Sequence, residues 1–266
     1  KTQVELLIGF CSGPVIVTDS LVFNFDAGND KCTDADDDLA SMRDIGPVAH
    51  SSRTDRSMHG DGANGTGNIT FPTNTGATKA INTSVSSHTS TVDADDYDNR
   101  IDLDDDLYFA DNDAFSFEFW GKLDSASTNT FHSMAGRGAT TPWFTIIKGS
   151  DSSWDVRFRA TGGTYYISAN QSTNPEDWHQ IVICYNNTDG LKYYIDGVNV
   201  LTNGGAASHT IPNSEFRINR IMAGYSSGGN RFGWQGSMLC ARAYAKTLSA
   251  AEVLQNFNAT RRRVGI

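Results

Sequence analysis

FSFEFWGKL (residues 115–123) is the stretch of this sequence that most strongly indicates the fold. Phe115, Phe117 and Phe119 recur with a period of two, which is typical of a β-strand with one buried face. Trp120 falls on the opposite, mostly polar face together with Glu118. A large aromatic side chain at that position indicates that the second face is also partly covered, as in a sandwich of two sheets.

Similar short segments, rich in aromatic and β-branched residues and separated by turns, fill the chain after residue 98. CYNNTDGLKYYIDGV (residues 184–198) has the pattern of a hairpin, followed by a second turn at Asp196 and Gly197. The chain contains 14 Phe, 9 Tyr and 5 Trp, and long stretches with helical periodicity are missing. We therefore expect an all-β chain.

One helix is predicted near the end of the chain. Ser249 is a favourable N-cap, and Glu252 three residues later completes a capping box. An apolar stripe at helical spacing follows, and its residues are Ala250, Val253, Leu254 and Phe257. A helix of about ten residues is unstable alone in water. We expect it to pack on the sandwich.

The remaining segments define the expected domain organisation. Residues 1–18 are predicted to form an N-terminal arm, 19–260 one domain, and 261–266 a basic tail. Within the domain, residues 31–98 contain few large apolar residues and many Gly, Ser, Thr and Asn. They are expected to form either long surface loops or a small irregular subdomain.

Charge and cysteine content limit the functional classes. A net charge of -10 argues against a specific nucleic-acid binder, because phosphate binding needs a positive contact face. No apolar stretch approaches the roughly 18 residues of a membrane span. The four cysteines have no metal-binding spacing, and Cys184 and Cys240 lie in apolar strand-like runs. Both are predicted to be buried free thiols, as suits assembly in a reducing cytoplasm.

Three segments carry a resemblance to a known family: FSFEFWGKL (115–123), DWHQIVICYNNTDGLKYYIDGV (177–198) and GWQGSMLCARAYAKTLSAAEVLQNFNATRRR (233–263). In order and spacing they resemble the signature segments of concanavalin A-like, laminin-G-like jelly-roll domains. The resemblance covers roughly residues 100–260. It implies a two-sheet antiparallel jelly roll with a short C-terminal helix.

A second resemblance involves both ends of the chain. GPVIVTDSLVFNFDAGN (13–29) and LSAAEVLQNFNATRRRVGI (248–266) together resemble virion structural proteins of tailed bacteriophages that carry this domain. This implies a non-enzymatic capsid-, neck- or tail-associated decoration or fibre component, assembled in the bacterial cytoplasm. Its expected partners are other virion proteins and copies of itself. The alternative is a carbohydrate-binding module for host-surface glycans, with calcium as the candidate cofactor.

No catalytic residues are predicted, although this superfamily includes glucanases. Retaining glycosidases need two carboxyl groups about 5–5.5 Å apart, and the superfamily's enzymes supply them as Glu-x-Asp-x-Glu on one strand. The five glutamates of this chain are far apart in sequence. The pair Trp178 and His179 is interpreted as a strand start rather than a catalytic pair.

Aromatic residues beside glycine-rich turns form one candidate ligand-binding site. Tyr225, Phe232 and Trp234 lie in or next to YSSGGNRFGW (225–234) and could offer a platform for sugar stacking or protein docking. The alternative is that Phe232 and Trp234 cover the end of the sandwich as ordinary core residues.

Many laminin-G-like domains bind one calcium ion at the rim of the sandwich, so the resemblance implies a candidate calcium site. Oxygen-rich turns offer Asp26, Asn29 and Asp196 as its ligands. The alternative is that these are ordinary turns. The acidic run around Asp102 resembles a hand-type calcium loop only weakly, because Leu107 replaces the required glycine. A solvated run at a strand edge is the preferred interpretation.

The basic tail forms a candidate docking site. Arg261, Arg262 and Arg263 follow the predicted helix, where positive charge complements the helix dipole. In a chain of net charge -10 they match an acidic partner surface, including the Asp-rich loops of another copy, better than a phosphate track.

Overall fold

In the computed structural model of the protein, the described residues are 15–28, 42–43, 57–60, 69–70, 80–83, 101–109, 114–124, 131–136, 143–148, 154–159, 167–186, 188–202, 216–225 and 231–266. They form strands almost throughout, together with one α-helix and one 3-10 turn near the end of the chain.

The described strands form two large antiparallel sheets and a separate two-stranded hairpin. The strands in chain order are β1 (Leu21–Asp26), β2 (Met42–Arg43), β3 (Ser57–Gly60), β4 (Ile69–Thr70), β5 (Ile81–Thr83), β6 (Ile101–Phe109), β7 (Phe115–Leu123), β8 (Phe131–Gly136), β9 (Trp143–Lys148), β10 (Trp154–Arg159), β11 (Ile167–Gln171), β12 (His179–Asn186), β13 (Gly190–Ile195), β14 (Val198–Thr202), β15 (Phe216–Ile221), β16 (Ala223–Tyr225), β17 (Arg231–Gly233) and β18 (Gly236–Tyr244).

Sheet A has the order β14-β13-β12-β7-β18-β5-β4, with β1 also paired to β18. The long strand β18 has β7 along one side, while β5 and β1 pair with successive parts of its other side. Sheet B has the order β11-β10-β9-β8-β15-β6-β3-β2. Strands β2 to β5 come from the loop-rich segment 31–98, so that segment contributes short strands to both sheets.

The hydrophobic core lies between the two sheets. Phe115, Phe117 and Phe119 of β7 point into it from sheet A, and Ile101 and Leu107 of β6 point into it from sheet B. Because alternate residues of a strand face opposite sides, the period of two in the sequence sends these side chains to one buried layer. The predicted all-β two-sheet jelly roll is confirmed.

Strand β6 corrects one sequence interpretation. The acidic run around Asp102 was expected to lie at a strand edge, but β6 pairs with β15 on one side and β3 on the other. Residues 101–109 form a continuous strand, which also excludes a hand-type calcium loop there.

Helix α1 (Ala250–Thr260) covers the outer face of sheet A. The capping box is confirmed: the Ser249 hydroxyl accepts from the backbone N–H of Glu252, and the Glu252 carboxylate accepts from the backbone N–H of Ser249. The buried helix residues are Val253, Asn256 and Thr260. Leu254, which the predicted apolar stripe placed inside, is 46% exposed.

The polar face of β7 is therefore buried beneath the helix rather than beneath the second sheet. The Trp120 ring stacks on the Phe257 ring of α1, with centroids 5.7 Å apart and planes 8° apart. Val253 packs in a second apolar cluster with Val17, Val182 and Tyr244. Sheet A is thus covered on both faces, as Trp120 indicated.

Two further sequence expectations concern cysteine and the membrane. Cys184 and Cys240 are free and buried, as predicted. Burial raises the pKa of the Cys184 thiol to about 11 and also raises the pKa of Cys240. In the described part of the chain, α1 is too short and too polar to cross a membrane.

Candidate functional site

The outer face of sheet B carries a patch of aromatic and charged side chains. In β6, Leu107 and Phe109 point into the core, so the alternation turns Asp106 and Tyr108 outward. The side chain of Asp106 is only partly exposed, whereas Tyr108 is 40% exposed. This is one of the few large aromatic surfaces that the described residues present to solvent.

Strand β15 completes this patch from the neighbouring position. Arg217 pairs in register with Tyr108. Its guanidinium carbon lies 4.9 Å from the centre of the Tyr108 ring, and its Nη1 lies 3.4 Å from Oδ2 of Asp106. We call Asp106, Tyr108 and Arg217 the outer strip. A phenol ring can pack against the apolar face of a sugar or an aliphatic side chain, and the two charged groups can hydrogen-bond to hydroxyls.

The predicted aromatic platform does not include Trp234. This side chain is fully buried and packs edge-on against Phe119, with ring centroids 4.7 Å apart. Its backbone N–H donates to the carbonyl of Met222 at 2.7 Å. Trp234 therefore covers the core, as the alternative interpretation held. Tyr225 and Phe232 lie in the hairpin β16–β17, where Gly224 pairs with Phe232, and their side chains lie outside the described part of the structure.

Two of the three predicted calcium ligands, Asp26 and Asp196, have protein partners in the structure. Oδ2 of Asp26 lies 2.6 Å from Nη1 of Arg263 and 4.0 Å from Nη2 of Arg242, and its Oδ1 accepts from the backbone N–H of Gly28. Asn29 lies outside the described residues. No group of three or more acidic, histidine or cysteine side chains suited to a metal ion occurs among the residues that the structure describes. Asp26 is thus engaged by arginine, and the calcium site with Asp26, Asn29 and Asp196 stays a prediction.

Asp196 has a structural partner in His179. Its Oδ2 lies 2.7 Å from Nδ1 of His179, and its Oδ1 accepts from the backbone N–H of Gln180 at 2.9 Å. Asp196 and Gly197 both have positive φ, as a type I′ hairpin turn requires. The contact joins the Trp-His start of β12 to the Asp-Gly turn after β13.

The surroundings of His179 favour its protonated form. Its Nε2 lies 2.9 Å from the carbonyl oxygen of Asn174, which can only accept, so Nε2 carries a hydrogen. Burial alone would lower the pKa of His179, but the hydrogen bond and negative charge of Asp196 and the Asn174 carbonyl raise it above its usual value. The pair fixes a turn and has no nucleophile beside it in the described contacts.

A buried polar network lies between sheet A and α1. Oε1 of Glu118 accepts from Nε1 of Trp120 at 3.0 Å, Nε2 of Gln180 at 2.9 Å and Nη1 of Arg242 at 3.0 Å. Its Oε2 accepts from Nδ2 of Asn256 at 2.8 Å. Glu118 is fully buried and Arg242 nearly so. We call these five residues the Glu118 network. The network is closed to solvent, and its role is to hold α1 against sheet A.

The three C-terminal arginines do not share one role. Arg263 is bonded to Asp26, and a Cβ atom on Gly28 would collide with its guanidinium group. The guanidinium carbon of Arg261 lies 5.5 Å from the Phe257 ring, and Arg262 is exposed. The predicted docking site is therefore wrong for Arg263, because its side chain forms an ion pair within the fold. Arg261 and Arg262 remain at the surface of the 3-10 turn.

These features define a class of protein: a two-sheet jelly roll with one sheet sealed by a helix and an aromatic, charged strip on the other. The sequence model of the concanavalin A-like lectin/glucanases superfamily, in its laminin-G-like form, matches residues 95–254. Since this is more than half of the chain, the protein belongs to that superfamily. No curated protein matches the sequence.

Solved structures share the fold at low sequence identity. The binding domain of botulinum neurotoxin DC, solved with rat synaptotagmin II, has a TM-score of 0.57 and 11% identity over 91% of this chain and 52% of its own. Domain 4 of an extracellular arabinanase of Geobacillus stearothermophilus, solved with arabinotriose, has a TM-score of 0.56 and 14% identity over 91% of this chain and 100% of its own.

A third similar structure is the ligand-binding domain of botulinum neurotoxin serotype D with N-acetylneuraminic acid. Its TM-score is 0.54 and its identity 14%, over 91% of this chain and 51% of its own. This chain thus spans about half the length of the toxin domains and the whole of the arabinanase domain. At these identities the similarity shows the fold alone.

Proposed function

We propose that this chain is a non-enzymatic structural component of a bacteriophage particle, assembled in the host cytoplasm, whose lectin-like sandwich docks on other particle proteins and on copies of itself. One observation carries the proposal. The two segments that resemble virion proteins, at opposite ends of the sequence, form one packed unit.

The contacts within this unit are specific. The backbone N–H of Val17 donates to Oδ1 of Asn256 at 2.7 Å, and Nε2 of Gln255 donates to the carbonyl of Val15 at 2.8 Å. Asp26, at the end of β1, binds Arg263. Val15 and Gln255 are 240 positions apart. The segments that carry the resemblance therefore pack together in the fold. We call residues 15–26 together with 248–263 the terminal clasp.

The arrangement of the carboxyl groups supports a non-enzymatic role. Glu118 is fully buried in a network with Arg242, and Glu252 caps α1 and binds Lys246. Hydrolysis of glycosides requires a solvent-accessible pair of carboxyl groups around the bond to be cleaved. Neither glutamate is available for that task. Release of reducing ends on incubation with polysaccharides would overturn this part of the proposal.

Peptide mass spectrometry of purified particles tests the proposal. Particles of the virus that encodes the chain are banded by density, washed in high salt and digested. We expect peptides of this chain in the particle band at a constant ratio to the major capsid protein. Recovery only from the unassembled fraction of the lysate would contradict the proposal.

A second candidate function is binding of host-surface glycans, and the outer strip favours it. Tyr108 offers an exposed ring, while Asp106 and Arg217 supply an acceptor and donors beside it. The arabinanase domain and one toxin domain that share the fold were solved with saccharides. On a particle, many weak sites would act together.

A glycan array tests this second function. The wild-type chain is compared with Tyr108→Ala and with a control, Val198→Ala, which removes another exposed apolar side chain. We expect binding that Tyr108→Ala abolishes and Val198→Ala retains, measured with and without a chelator to reveal any calcium dependence. Absence of binding by the wild-type chain would eliminate the candidate.

A further inference from the structure

The outer surface of α1 carries a stripe of residues that lines a shallow pocket. A shallow pocket of about 390 Å³ is lined by Ala251, Leu254, Gln255, Asn258, Arg261 and Arg262. These positions recur at helical spacing on the side opposite the buried residues Val253, Asn256 and Thr260. We call the six lining residues the α1 stripe.

The middle of the α1 stripe is apolar and extends beyond the helix. Leu254 is 46% exposed. A Cβ atom on Gly197 would lie 3.0 Å from Cδ1 of Leu254, so the β13–β14 turn borders the stripe, and the next residue, Val198, is also exposed. Leu254 and the β13–β14 turn thus place apolar surface at one edge of the groove.

The C-terminal end of the α1 stripe is positive. No carboxylate of the described residues pairs with Arg261 or Arg262, in contrast to Arg263. The packing of Arg261 on Phe257 fixes one of these charges at the edge of the groove. None of the six lining residues is acidic, although the chain as a whole has a net charge of -10. This local reversal of charge favours an acidic occupant.

The sequence contains a segment with the complementary chemistry. Residues 93–98, DADDYD, hold four aspartates and a tyrosine within six positions. The carboxylates match the two arginines, and the tyrosine matches the exposed leucine. In the sequence this segment ends three residues before Ile101, the first residue of β6.

We infer that the α1 stripe binds the aspartate-rich segment 93–98 of a second copy of the chain. The acidic segment and the stripe are separate parts of the chain, so each copy can accept one neighbour and be accepted by another. Such heterologous contacts join copies head to tail and close into a ring or continue as a filament. The inference rests on the proposed function, because a virus particle would bring many copies of the chain together.

Fluorescence anisotropy with a labelled peptide tests the inference. The probe is TVDADDYDN, residues 91–99, and the control peptide has asparagine in place of each aspartate. We expect saturable binding of the probe to the whole chain, weakened by salt because charge drives it, and no binding of the control. No saturable binding up to about 1 mM, where the binding free energy falls to roughly 4 kcal/mol, would overturn the inference.

Two single variants locate the binding site. Arg262→Glu reverses an exposed charge in the stripe, and Lys192→Glu makes the same change at an exposed ion pair on a different hairpin. We expect Arg262→Glu to weaken peptide binding by about tenfold or more and Lys192→Glu to leave it within about twofold, since surface ion pairs contribute little. Equal affinities of wild type and Arg262→Glu would place the peptide elsewhere and contradict the inference.

The two proposals fail separately. Loss of peptide binding with the chain still present in purified particles would remove the α1 stripe as the contact and leave the particle function intact. Saturable peptide binding with the chain absent from particles would leave head-to-tail association as a property of the chain and remove the particle function.

Discussion

Nδ1 of His179 lies 2.7 Å from Oδ2 of Asp196, and this contact joins the start of β12 to the turn that connects β13 and β14. The other ring nitrogen faces the carbonyl oxygen of Asn174. Two acceptors on the two ring nitrogens stabilise the imidazolium form. The Trp-His and Asp-Gly motifs of the sequence are thus joined by one contact, the His179–Asp196 pair.

The His179–Asp196 pair predicts that the stability of the fold depends on pH. The pKa of His179 in the folded state is raised above its unfolded value of about 6.5, so the folded protein binds the proton more tightly. Its contribution is complete below about pH 6.5 and is lost as the pH rises through the folded-state pKa. We expect the free energy of unfolding, measured with urea, to fall as the pH rises from about 6.5 through the raised pKa of folded His179.

Asp196→Asn should change the sign of this dependence. Without the carboxylate, burial dominates and lowers the pKa of His179, so stability should no longer fall with rising pH. Asp189→Asn, which neutralises an exposed aspartate on the neighbouring turn, serves as the control and should keep the wild-type slope. An identical slope in wild type and Asp196→Asn would show that the pair does not set the protonation of His179.

Removal of Arg242 should destabilise the chain strongly. Arg242→Met leaves the fully buried carboxylate of Glu118 without its cation, and breaking a buried pair in this way costs about 3–5 kcal/mol. The double variant Glu118→Leu/Arg242→Met removes the charge as well and should be less destabilised than Arg242→Met alone. Urea unfolding of the three proteins measures this, and additive losses would contradict coupling within the Glu118 network.

Asn256 should link α1 to the N-terminal segment. Asn256→Leu removes the acceptor of the Val17 N–H and a donor to Glu118, which leaves buried polar groups unpaired at about 1–3 kcal/mol each. We expect faster hydrogen exchange at the Val17 amide in this variant. Ser249→Ala, which costs about 1 kcal/mol by removing the helix cap, is the control with α1 weakened but the link intact. Unchanged protection of Val17 in Asn256→Leu would refute the link.

The buried thiols should be unreactive in the folded chain. Burial raises the pKa of Cys184 to about 11 and that of Cys240 as well, so little thiolate forms at neutral pH. The other two cysteines, Cys11 and Cys32, are first replaced by serine. In this variant a chromogenic disulfide reagent should react only at the rate of unfolding, and in denaturant it should modify two thiols per chain. Rapid reaction without denaturant would mean that one of these thiols is accessible.

The strands and the helix start could be predicted because their signals are local. Alternating phenylalanines in β7 and the Ser249–Glu252 capping box each lie within a few residues, and the structure confirms both. The buried face of α1 could not be predicted, because Asn256 is buried to serve a carboxylate on β7, far away in sequence. Hydrophobic periodicity predicts that an asparagine is exposed and a leucine buried, whereas here Asn256 is buried and Leu254 is exposed.

The candidate site was less predictable than the fold. Trp234 looked available because a glycine-rich turn precedes it, but its position between the sheets follows from long-range packing with Phe119. The outer strip depends on the register between β6 and β15, and Asp106 and Arg217 are 111 positions apart. The only local signal was alternation within residues 101–109, which places Tyr108 on the polar side of its strand.

Cryo-electron microscopy of the purified virus particle tests the central claim most directly. The account predicts density for the two-sheet sandwich at symmetry-related positions, in many copies, with the terminal clasp intact. A complete reconstruction of head, neck, tail and fibres in which every density is explained by other proteins would contradict it.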